Sequence, residues 1–153
     1  MARLFGTDGV RGKAGTFPLD IPTVRRLGAA LVRGLRHDDE PAAPHPKNIR
    51  FLSGRDTRES GGWIERELGV GIRSQGGTLT SAGIIPTPAI AYLTPRLGYT
   101  AGVVISASHN PFEDNGIKVF SGAGEKFTET LEQHVEAIFA DTSWSVPAGD
   151  ADA

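Results

Sequence analysis

Apolar residues recur at helical spacing in three segments of the chain, and each segment carries a single apolar stripe. The stripes comprise Val24, Leu27, Leu31 and Leu35 in residues 21–36, Ile64, Leu68 and Ile72 in residues 59–75, and Leu131, Val135, Ile138 and Phe139 in residues 129–140. Asp20 and Thr128 stand immediately before the first and last of these segments, where a short polar side chain caps a helix. A shorter helix is predicted between Pro86 and Pro95, since proline suits a first turn and cannot continue a helix.

Short runs of apolar and β-branched residues lie between these helices and predict strands. The predicted strands are residues 49–53, 78–84, 100–106 and 117–120. Because strands alternate with helices, the predicted fold class is α/β, with a mixed, mostly parallel sheet flanked by helices. Three segments are predicted to lie outside these elements: a glycine-rich opening at 3–16, an exposed linker loop at 37–48, and a disordered tail at 142–153 that leaves one domain over 1–141.

The net charge, the absence of cysteine and the lack of long apolar runs argue against several classes of protein function for this chain. The net charge is −2 and the basic residues form no stripe, so nucleic-acid binding is not expected. The chain has no cysteine, which excludes disulfides and cysteine-based zinc sites. No apolar run is long enough to cross a membrane, and the first residues lack the apolar core of a signal peptide, so a cytoplasmic location is expected. His37, His45 and His134 lack metal-ligand spacing and are interpreted as solvated surface residues.

The most informative segment is residues 106–118, Ser-Ala-Ser-His-Asn-Pro-Phe-Glu-Asp-Asn-Gly-Ile-Lys, which follows a strand predicted to be buried. In α/β sheets, ligands bind where strands end, so a serine at this point is a candidate nucleophile. Ser108 is preferred, and Ser106 is the alternative. Lys118 would return to the same site if Asn115 and Gly116 made a tight turn.

Two further loops concentrate residues with functional character. Residues 6–12, Gly-Thr-Asp-Gly-Val-Arg-Gly, form either a glycine-rich turn with an incidental arginine or part of a site, and they do not match a Walker A loop. Residues 54–58, Gly-Arg-Asp-Thr-Arg, follow a strand, and their guanidinium groups suit phosphate. An Arg–Asp salt bridge that only shapes this loop is the other interpretation. The adjacent Ser108 and His109 do not indicate a hydrolase triad, because chain neighbours point in different directions.

Taken in order, these motifs resemble those of the α-D-phosphohexomutases. The matching segments are Leu-Phe-Gly-Thr-Asp-Gly-Val-Arg-Gly at 4–12, Gly-Arg-Asp-Thr-Arg at 54–58, Ile-Ser-Ala-Ser-His-Asn-Pro at 105–111 and Asp-Asn-Gly-Ile-Lys at 114–118. The opening loop is most similar to that of the bacterial phosphoglucosamine mutases within this family. The resemblance covers only the first of the family's four domains.

The resemblance implies a mechanism and a role for each matching residue. Ser108 would carry a phosphoryl group, give it to a sugar phosphate, and take back the other phosphate from the bisphosphate intermediate. Arg11 would stabilise the phosphoserine, and Lys118 would act as general acid and base. His109 and Asn110 would orient the serine loop. The remaining residues of the phosphate and substrate loops would be Thr7, Asp8, Arg55 and Arg58.

The resemblance also implies Mg²⁺, which would bridge the phosphate on Ser108 to three aspartates. The family's metal loop, Asp-Gly-Asp-x-Asp-Arg, is absent from this chain, and Asp150 and Asp152 are interpreted as a coincidental echo of it. The implied ligands are a hexosamine phosphate and its 1,6-bisphosphate, and a homodimer is possible. The isolated chain is expected to lack turnover.

Two alternatives remain open at this point. One is a phosphoglucomutase or phosphomannomutase, in which the same serine domain serves another sugar. The other is a stand-alone, non-catalytic module that binds phosphosugars or a partner mutase.

Overall fold

The computed structural model describes residues 3–36 and 48–147. Within them the elements are, in chain order, β1 (Val10–Lys13), α1 (Ile21–Arg36), β2 (Arg50–Arg55), α2 (Gly61–Ser74), β3 (Thr78–Ile84), α3 (Thr87–Arg96), β4 (Ala101–Ile105), β5 (Asp114–Ser121) and α4 (Glu129–Ala140). The predicted α/β class is confirmed. The two predicted capping residues serve as expected: the Asp20 carboxylate accepts from the Thr23 amide at 3.3 Å, and Thr128 Oγ1 accepts from the Leu131 amide at 3.2 Å.

The five strands form one mixed sheet in the order β1-β5-β4-β2-β3. Strands β3, β2 and β4 are parallel, whereas β5 runs antiparallel to both of its neighbours, β4 and β1. The carboxyl ends of β2 and β4 therefore lie at the same edge of the sheet. The amide of Asp56 donates to the carbonyl of Ile105 at 3.1 Å, which joins the two loops that leave these strands.

The side chains of the sheet divide the core into two layers. On one face, Phe51, Ile105 and Ile117 pack against the apolar stripes of α1, α2 and α4. On the opposite face, Leu52 and Val104 pack under α3. Because α3 covers only part of its face, the β1–β5 half of that face is left for the polar residues described below.

Helices α1 and α2 cross at very short range, and glycines at the crossing make this possible. A Cβ on Gly71 would lie 1.8 Å from the carbonyl oxygen of Arg25, and one on Gly28 would lie 2.4 Å from that of Leu68. Gly28 of α1 and Gly71 of α2 are therefore required by the packing of these two helices.

Strand β5 differs from the prediction in a way that matters for the site. Asn115 and Gly116 do not form a tight turn; they lie inside β5, paired with Gly12 and Arg11 of β1. Pairing with β1 overrides their turn propensity, and it extends the strand back to Asp114. The chain reverses earlier, between the end of β4 and Asp114. Strand β1 itself was not predicted, because its four residues are too few to show a pattern.

The predicted disordered tail is wrong for residues 142–147. The Trp144 indole donates to the carbonyl of Ile138 at 2.8 Å, and its ring lies 4.0 Å from the Arg26 guanidinium and 4.5 Å from that of Arg33. An isolated tryptophan carries no periodic signal, so the sequence pattern could not show this contact.

The histidines and the linker loop were predicted to lie on the surface, and the structure describes only some of these residues. His134 is half-buried rather than fully solvated. The predicted linker loop, apart from Asn48, lies outside the described residues, as do His37 and His45. Among the helices of the described segments, none has the length and apolar character needed to cross a bilayer.

Candidate functional site

Ser108 lies in the loop between β4 and β5, with its backbone in the left-handed region at φ 53°. It is the one residue other than glycine with positive φ in residues 3–36 and 48–147. Such a conformation is unfavourable for a residue with a Cβ, and it persists only where surrounding contacts impose it. Ser108 is also exposed, directly after the buried Ala107. The preferred nucleophile is thus presented to solvent by a strained backbone at the carboxyl edge of the sheet.

Ser106, the alternative nucleophile, is held in the protein interior. The residue is 9% exposed, and its hydroxyl donates to Asp56 Oδ2 at 2.8 Å. The same hydroxyl oxygen accepts from the Ser108 amide at 3.2 Å. With these two bonds, Ser106 connects the β2 loop to the serine loop and is poorly placed to react.

Arg58 is bonded to the serine loop through its whole guanidinium group. Nε donates to the Asp56 carboxylate at 3.2 Å. The other four bonds go from Nη1 to the carbonyls of Pro111 at 2.6 Å and Asp114 at 3.0 Å, and from Nη2 to those of Ser108 and Asn110 at 2.9 Å each. A guanidinium has five N–H donors, so none is left for a ligand. In this arrangement the five donors of Arg58 all contact the protein, and its expected phosphate contact stays a prediction.

Arg55 points away from the serine loop, toward α2. Its Nη1 donates to Glu65 Oε1 at 2.9 Å. Glu65 is buried and also accepts from the hydroxyls of Ser53 at 2.7 Å and Ser81 at 2.9 Å. The Arg–Asp salt bridge considered from the sequence does form, at 3.2 Å, but through Arg58 rather than Arg55.

Arg11 and Lys118 lie on the same face of the sheet. Arg11 pairs with Gly116, and a Cβ on that glycine would lie 3.0 Å from Arg11 Cγ, so the arginine side chain covers it. Lys118 is two residues further along β5, diagonal to Arg11, where side chains start about 7–8 Å apart. Arg11 Nη1 lies 3.5 Å from the Asn110 side-chain oxygen, and its buried Nε has no hydrogen-bond partner among the residues that the structure describes.

A cavity of about 370 Å³ adjoins Lys118. The charged and polar side chains on its wall are those of Thr7, Asp8, Thr87, Lys118, Lys126 and Glu132, and three phenylalanines line the rest together with Gly9 and Val119. Lys126 donates to the Thr7 carbonyl, and this bond holds the opening loop against the cavity. Burial raises the pKa of the Glu132 carboxyl above its ordinary value, an effect that the nearby Lys126 opposes. Neither Lys126 nor Glu132 belonged to a motif that the sequence analysis could recognise.

The predicted site residues therefore fall into three groups. Ser108, Asn110 and Arg11 meet at the serine loop, and the exposed His109 belongs to the same loop. Thr7 and Asp8 line the cavity beside Lys118. Arg55 belongs to the separate cluster around Glu65.

The expected Mg²⁺ stays a prediction for this part of the protein. Across residues 3–36 and 48–147, no three carboxylate or imidazole side chains come together as a metal site. A phosphate on Ser108 would supply oxygen ligands of the kind that Mg²⁺ prefers.

The model of one protein family matches nearly the whole chain. The family is described as phosphoglucomutase/phosphomannomutase, alpha/beta/alpha domain I, and its model matches residues 2–145.

Curated relatives are similar over the same region. Three of them, from Koribacter versatilis, Deinococcus deserti and Thiobacillus denitrificans, are named phosphoglucosamine mutase. The proteins from Koribacter versatilis and Deinococcus deserti are 49% and 46% identical, over 88% and 95% of this chain and 28% and 31% of their own lengths. The relative from Thiobacillus denitrificans is 50% identical, over 88% of this chain and 29% of its own length. The chain therefore spans less than a third of the curated relatives it matches.

Solved structures give the same fold. A crystal structure from Thermus thermophilus, assigned as a phosphomannomutase, matches with a TM-score of 0.76 and 26% identity, over 90% of this chain and 30% of its own. The open form of the Paramecium phosphoprotein pp63/parafusin matches with a TM-score of 0.72 at 22% identity, over 92% of this chain and 26% of its own, which supports the fold alone. The chain belongs to the phosphoglucomutase/phosphomannomutase family, and it corresponds to the α/β/α domain I of that family.

Proposed function

We propose that this chain is the phosphoserine domain of a phosphoglucosamine mutase, an isomerase that interconverts glucosamine 6-phosphate and glucosamine 1-phosphate. The observation that carries the proposal is Ser108, an exposed serine whose strained backbone is imposed by the surrounding loops. The choice of sugar is supported by the printed names of relatives that are 46–50% identical to this chain.

The reaction begins with a phosphoryl group on Ser108 Oγ. A sugar hydroxyl attacks the phosphorus and the bond from phosphorus to Oγ breaks, while the Lys118 amine takes the hydroxyl proton and passes it to the departing Ser108 oxygen. The product of this step is a sugar 1,6-bisphosphate and a free serine hydroxyl. After the sugar has reoriented, Ser108 Oγ attacks the other phosphate, the bond from that phosphorus to the sugar oxygen breaks, and the Ser108 proton passes through Lys118 to the departing sugar oxygen.

Positioning and charge neutralisation supply most of the catalysis in phosphoryl transfer. The unpartnered Nε of Arg11 is a donor available to a phosphate on Ser108, and the Arg11 charge would stabilise the phosphoserine dianion. Asn110 would hold Arg11 at the serine loop, and His109 would orient the loop from its exposed side. Bound at the phosphoserine, as the family resemblance implies, Mg²⁺ would neutralise part of the phosphate charge.

The sugar phosphate would approach from the face of the sheet that carries Lys118. Thr7 and Asp8 border the cavity beside Lys118 and would contact the substrate there. We propose a cytoplasmic location, in line with the sugar-phosphate substrate, and a possible homodimer.

The proposal is tested by assaying the full-length protein that contains this chain. Primed with the 1,6-bisphosphate, it should convert glucosamine 6-phosphate with a kcat/KM well above those for glucose 6-phosphate and mannose 6-phosphate. A preference for glucose or mannose would instead assign a phosphoglucomutase or phosphomannomutase with the same serine chemistry. No turnover of any of the three, together with no phosphate on Ser108, would favour a non-catalytic module.

A further inference from the structure

The loop that carries Ser108 is held by an unusually complete set of bonds to one side chain. Arg58 donates to the carbonyls of Ser108, Asn110, Pro111 and Asp114, which span the whole turn from β4 to β5. The Arg58 side chain is 10% exposed, so these charge-assisted bonds are shielded from solvent. We propose that Arg58 is a positioning residue that imposes the left-handed backbone of Ser108; the catalytic part of this inference rests on the proposed function.

Asp56 connects Arg58 to the amide side of Ser108. Asp56 Oδ1 accepts from the Arg58 amide at 3.0 Å, and Oδ2 accepts from both Arg58 Nε at 3.2 Å and Ser106 Oγ at 2.8 Å. Ser106 Oγ in turn accepts the Ser108 amide hydrogen at 3.2 Å. Both backbone groups of Ser108 are therefore fixed, the carbonyl by Arg58 directly and the amide through Asp56 and Ser106.

This arrangement accounts for a conformation that is otherwise unfavourable. The left-handed conformation is costly for a residue other than glycine unless its surroundings determine it. The bonds from Arg58 to four carbonyls offset that cost only while the turn keeps its present shape. If Arg58 were removed, Ser108 would relax toward negative φ and its hydroxyl would leave its present direction.

The geometry of these bonds also predicts that a lysine cannot replace Arg58. A lysine at position 58 has three donors on one nitrogen, so it cannot reach acceptors on both sides of a planar fork. Arg58→Lys should therefore behave more like Arg58→Ala than like the native protein, although it retains the charge. A group that acted only through its charge would give the opposite result.

The first experiment measures the conformation of Ser108 in the 153-residue chain by NMR. At positive φ the amide hydrogen and Hα of one residue lie close together, so the native chain should show a strong intraresidue amide–Hα NOE at Ser108. Arg58→Ala and Arg58→Lys should weaken it while the remaining amide spectrum stays folded. Arg66→Ala is the matched control, because Arg66 is a 62% exposed arginine of α2 that does not touch the loop.

The second experiment measures catalysis in the full-length protein. Arg58→Ala should lower kcat by about a hundredfold and Arg58→Lys by at least about tenfold, as expected for a misplaced reacting group. KM for the sugar phosphate should stay within about twofold, because all five Arg58 donors contact protein rather than substrate. Arg66→Ala should leave both constants unchanged.

The outcomes separate this inference from the proposed function. A native NOE at Ser108 in Arg58→Lys, with unchanged kcat, would overturn the positioning role. An increase in KM at constant kcat would also overturn it, because that result indicates a substrate contact. If the full-length native protein shows no turnover, the proposed function fails, and the NOE alone still decides whether Arg58 sets the backbone. If Arg58→Ala does not fold, Arg58→Lys and Ser106→Ala carry the NOE test, since both leave the buried core intact.

Discussion

Ser106 and Ser108 are two residues apart in the chain, yet their environments differ in every respect that matters to a nucleophile. The hydroxyl of Ser106 is buried and engaged in two hydrogen bonds, one with Asp56 and one with the Ser108 amide. Ser108 is exposed and has an unfavourable backbone conformation that its neighbours maintain. We therefore expect Ser108 to react and Ser106 to support it.

Substitution of the two serines tests this division. In the full-length protein, Ser108→Ala should abolish the phosphorylated enzyme, because it removes the acceptor oxygen. Ser106→Ala should retain phosphate on Ser108, with slower uptake from the bisphosphate, because the Ser108 amide loses its acceptor. Intact-mass measurement with phosphosite mapping checks both. Phosphate found on residue 106 of the Ser108→Ala variant would move the assignment to Ser106.

Lys118 is the second residue whose role can be separated from binding. Lys118→Met removes the group that exchanges a proton with the sugar hydroxyl and leaves an apolar chain of similar length. Turnover should fall by about 10²–10⁴-fold, the range expected for loss of general acid–base catalysis. Phosphorylated enzyme should still be isolable, because Ser108 is untouched. Unchanged turnover would remove Lys118 from the mechanism.

At the scale of elements, α1 and α2 can cross closely because Gly28 of α1 and Gly71 of α2 have no side chain. Gly71 faces the Arg25 backbone of α1 at a distance that leaves no room for a methyl group. Gly62, in the same helix, has nothing within 4 Å of a built Cβ. In α2, packing therefore requires glycine at position 71, whereas position 62 has room for a side chain.

A pair of glycine substitutions in α2 tests the crossing. Gly71→Ala should lower the free energy of unfolding by about 3 kcal/mol, because the helices must separate to admit the methyl group. Gly62→Ala should raise it by about 0.5 kcal/mol, because alanine is the better helix former. Urea unfolding of the 153-residue chain measures both. Equal effects at the two positions would contradict the close crossing.

The segment after α4 is held to α1 by the Trp144 ring and by Arg26, which donates to the carbonyls of Asp141 and Trp144. Trp144→Ala removes two contacts with arginine and one hydrogen bond, so the free energy of unfolding should fall by about 2 kcal/mol. Trp144→Phe keeps a ring over Arg26 and should cost about half as much. A chain unaffected by Trp144→Ala would show that residues 142–147 add nothing to the fold.

At the scale of the whole molecule, Glu132 links folding to pH. Burial raises the pKa of its carboxyl in the folded protein, so the folded state binds the proton more tightly than the unfolded state does. The bound proton therefore stabilises the folded protein at low pH. This contribution is lost as the pH rises from about 4.5, the ordinary pKa of a glutamate, through the higher pKa of Glu132 in the folded protein.

Glu132→Gln should therefore raise the free energy of unfolding at pH 7 relative to the native chain, and the gain should shrink toward pH 4. Urea unfolding at a series of pH values measures this difference. A loss of stability at pH 7 would contradict the burial effect and indicate that attraction to Lys126 dominates.

The architecture could be predicted from sequence wherever a periodic pattern was long enough to fix an element. Helices α1 and α4 and strand β3 have the predicted bounds, because their apolar positions have partners on one face only. Strand β1 and the contacts of Trp144 could not be predicted, since they depend on pairing with distant segments. The turn predicted at Asn115 failed for the same reason.

The residue types of the candidate site could be predicted from sequence, but the contacts that each of them makes could not. The motifs marked Arg55 and Arg58 alike, whereas the structure gives Arg55 to the Glu65 cluster and Arg58 to the serine loop. Lys126 and Glu132 were missed because a loop turn and a helix from the end of the chain bring them to the cavity. Long-range placement of this kind leaves no local signal in the sequence.

The isolated chain is a test of how far one domain can carry the reaction. We expect the 153-residue chain, purified alone, to give no measurable conversion of glucosamine 6-phosphate, because its described residues do not complete a metal site. A coupled assay of glucosamine 1-phosphate formation checks this. Turnover by the chain alone would show that the described residues suffice.

The proposal that Ser108 carries the phosphoryl group is tested most directly by the intact mass of the full-length protein from its source, with phosphosite mapping. We predict one added phosphoryl group per chain, located on Ser108 and lost on incubation with sugar phosphate. A protein that is active on glucosamine 6-phosphate but never phosphorylated at Ser108 would contradict it.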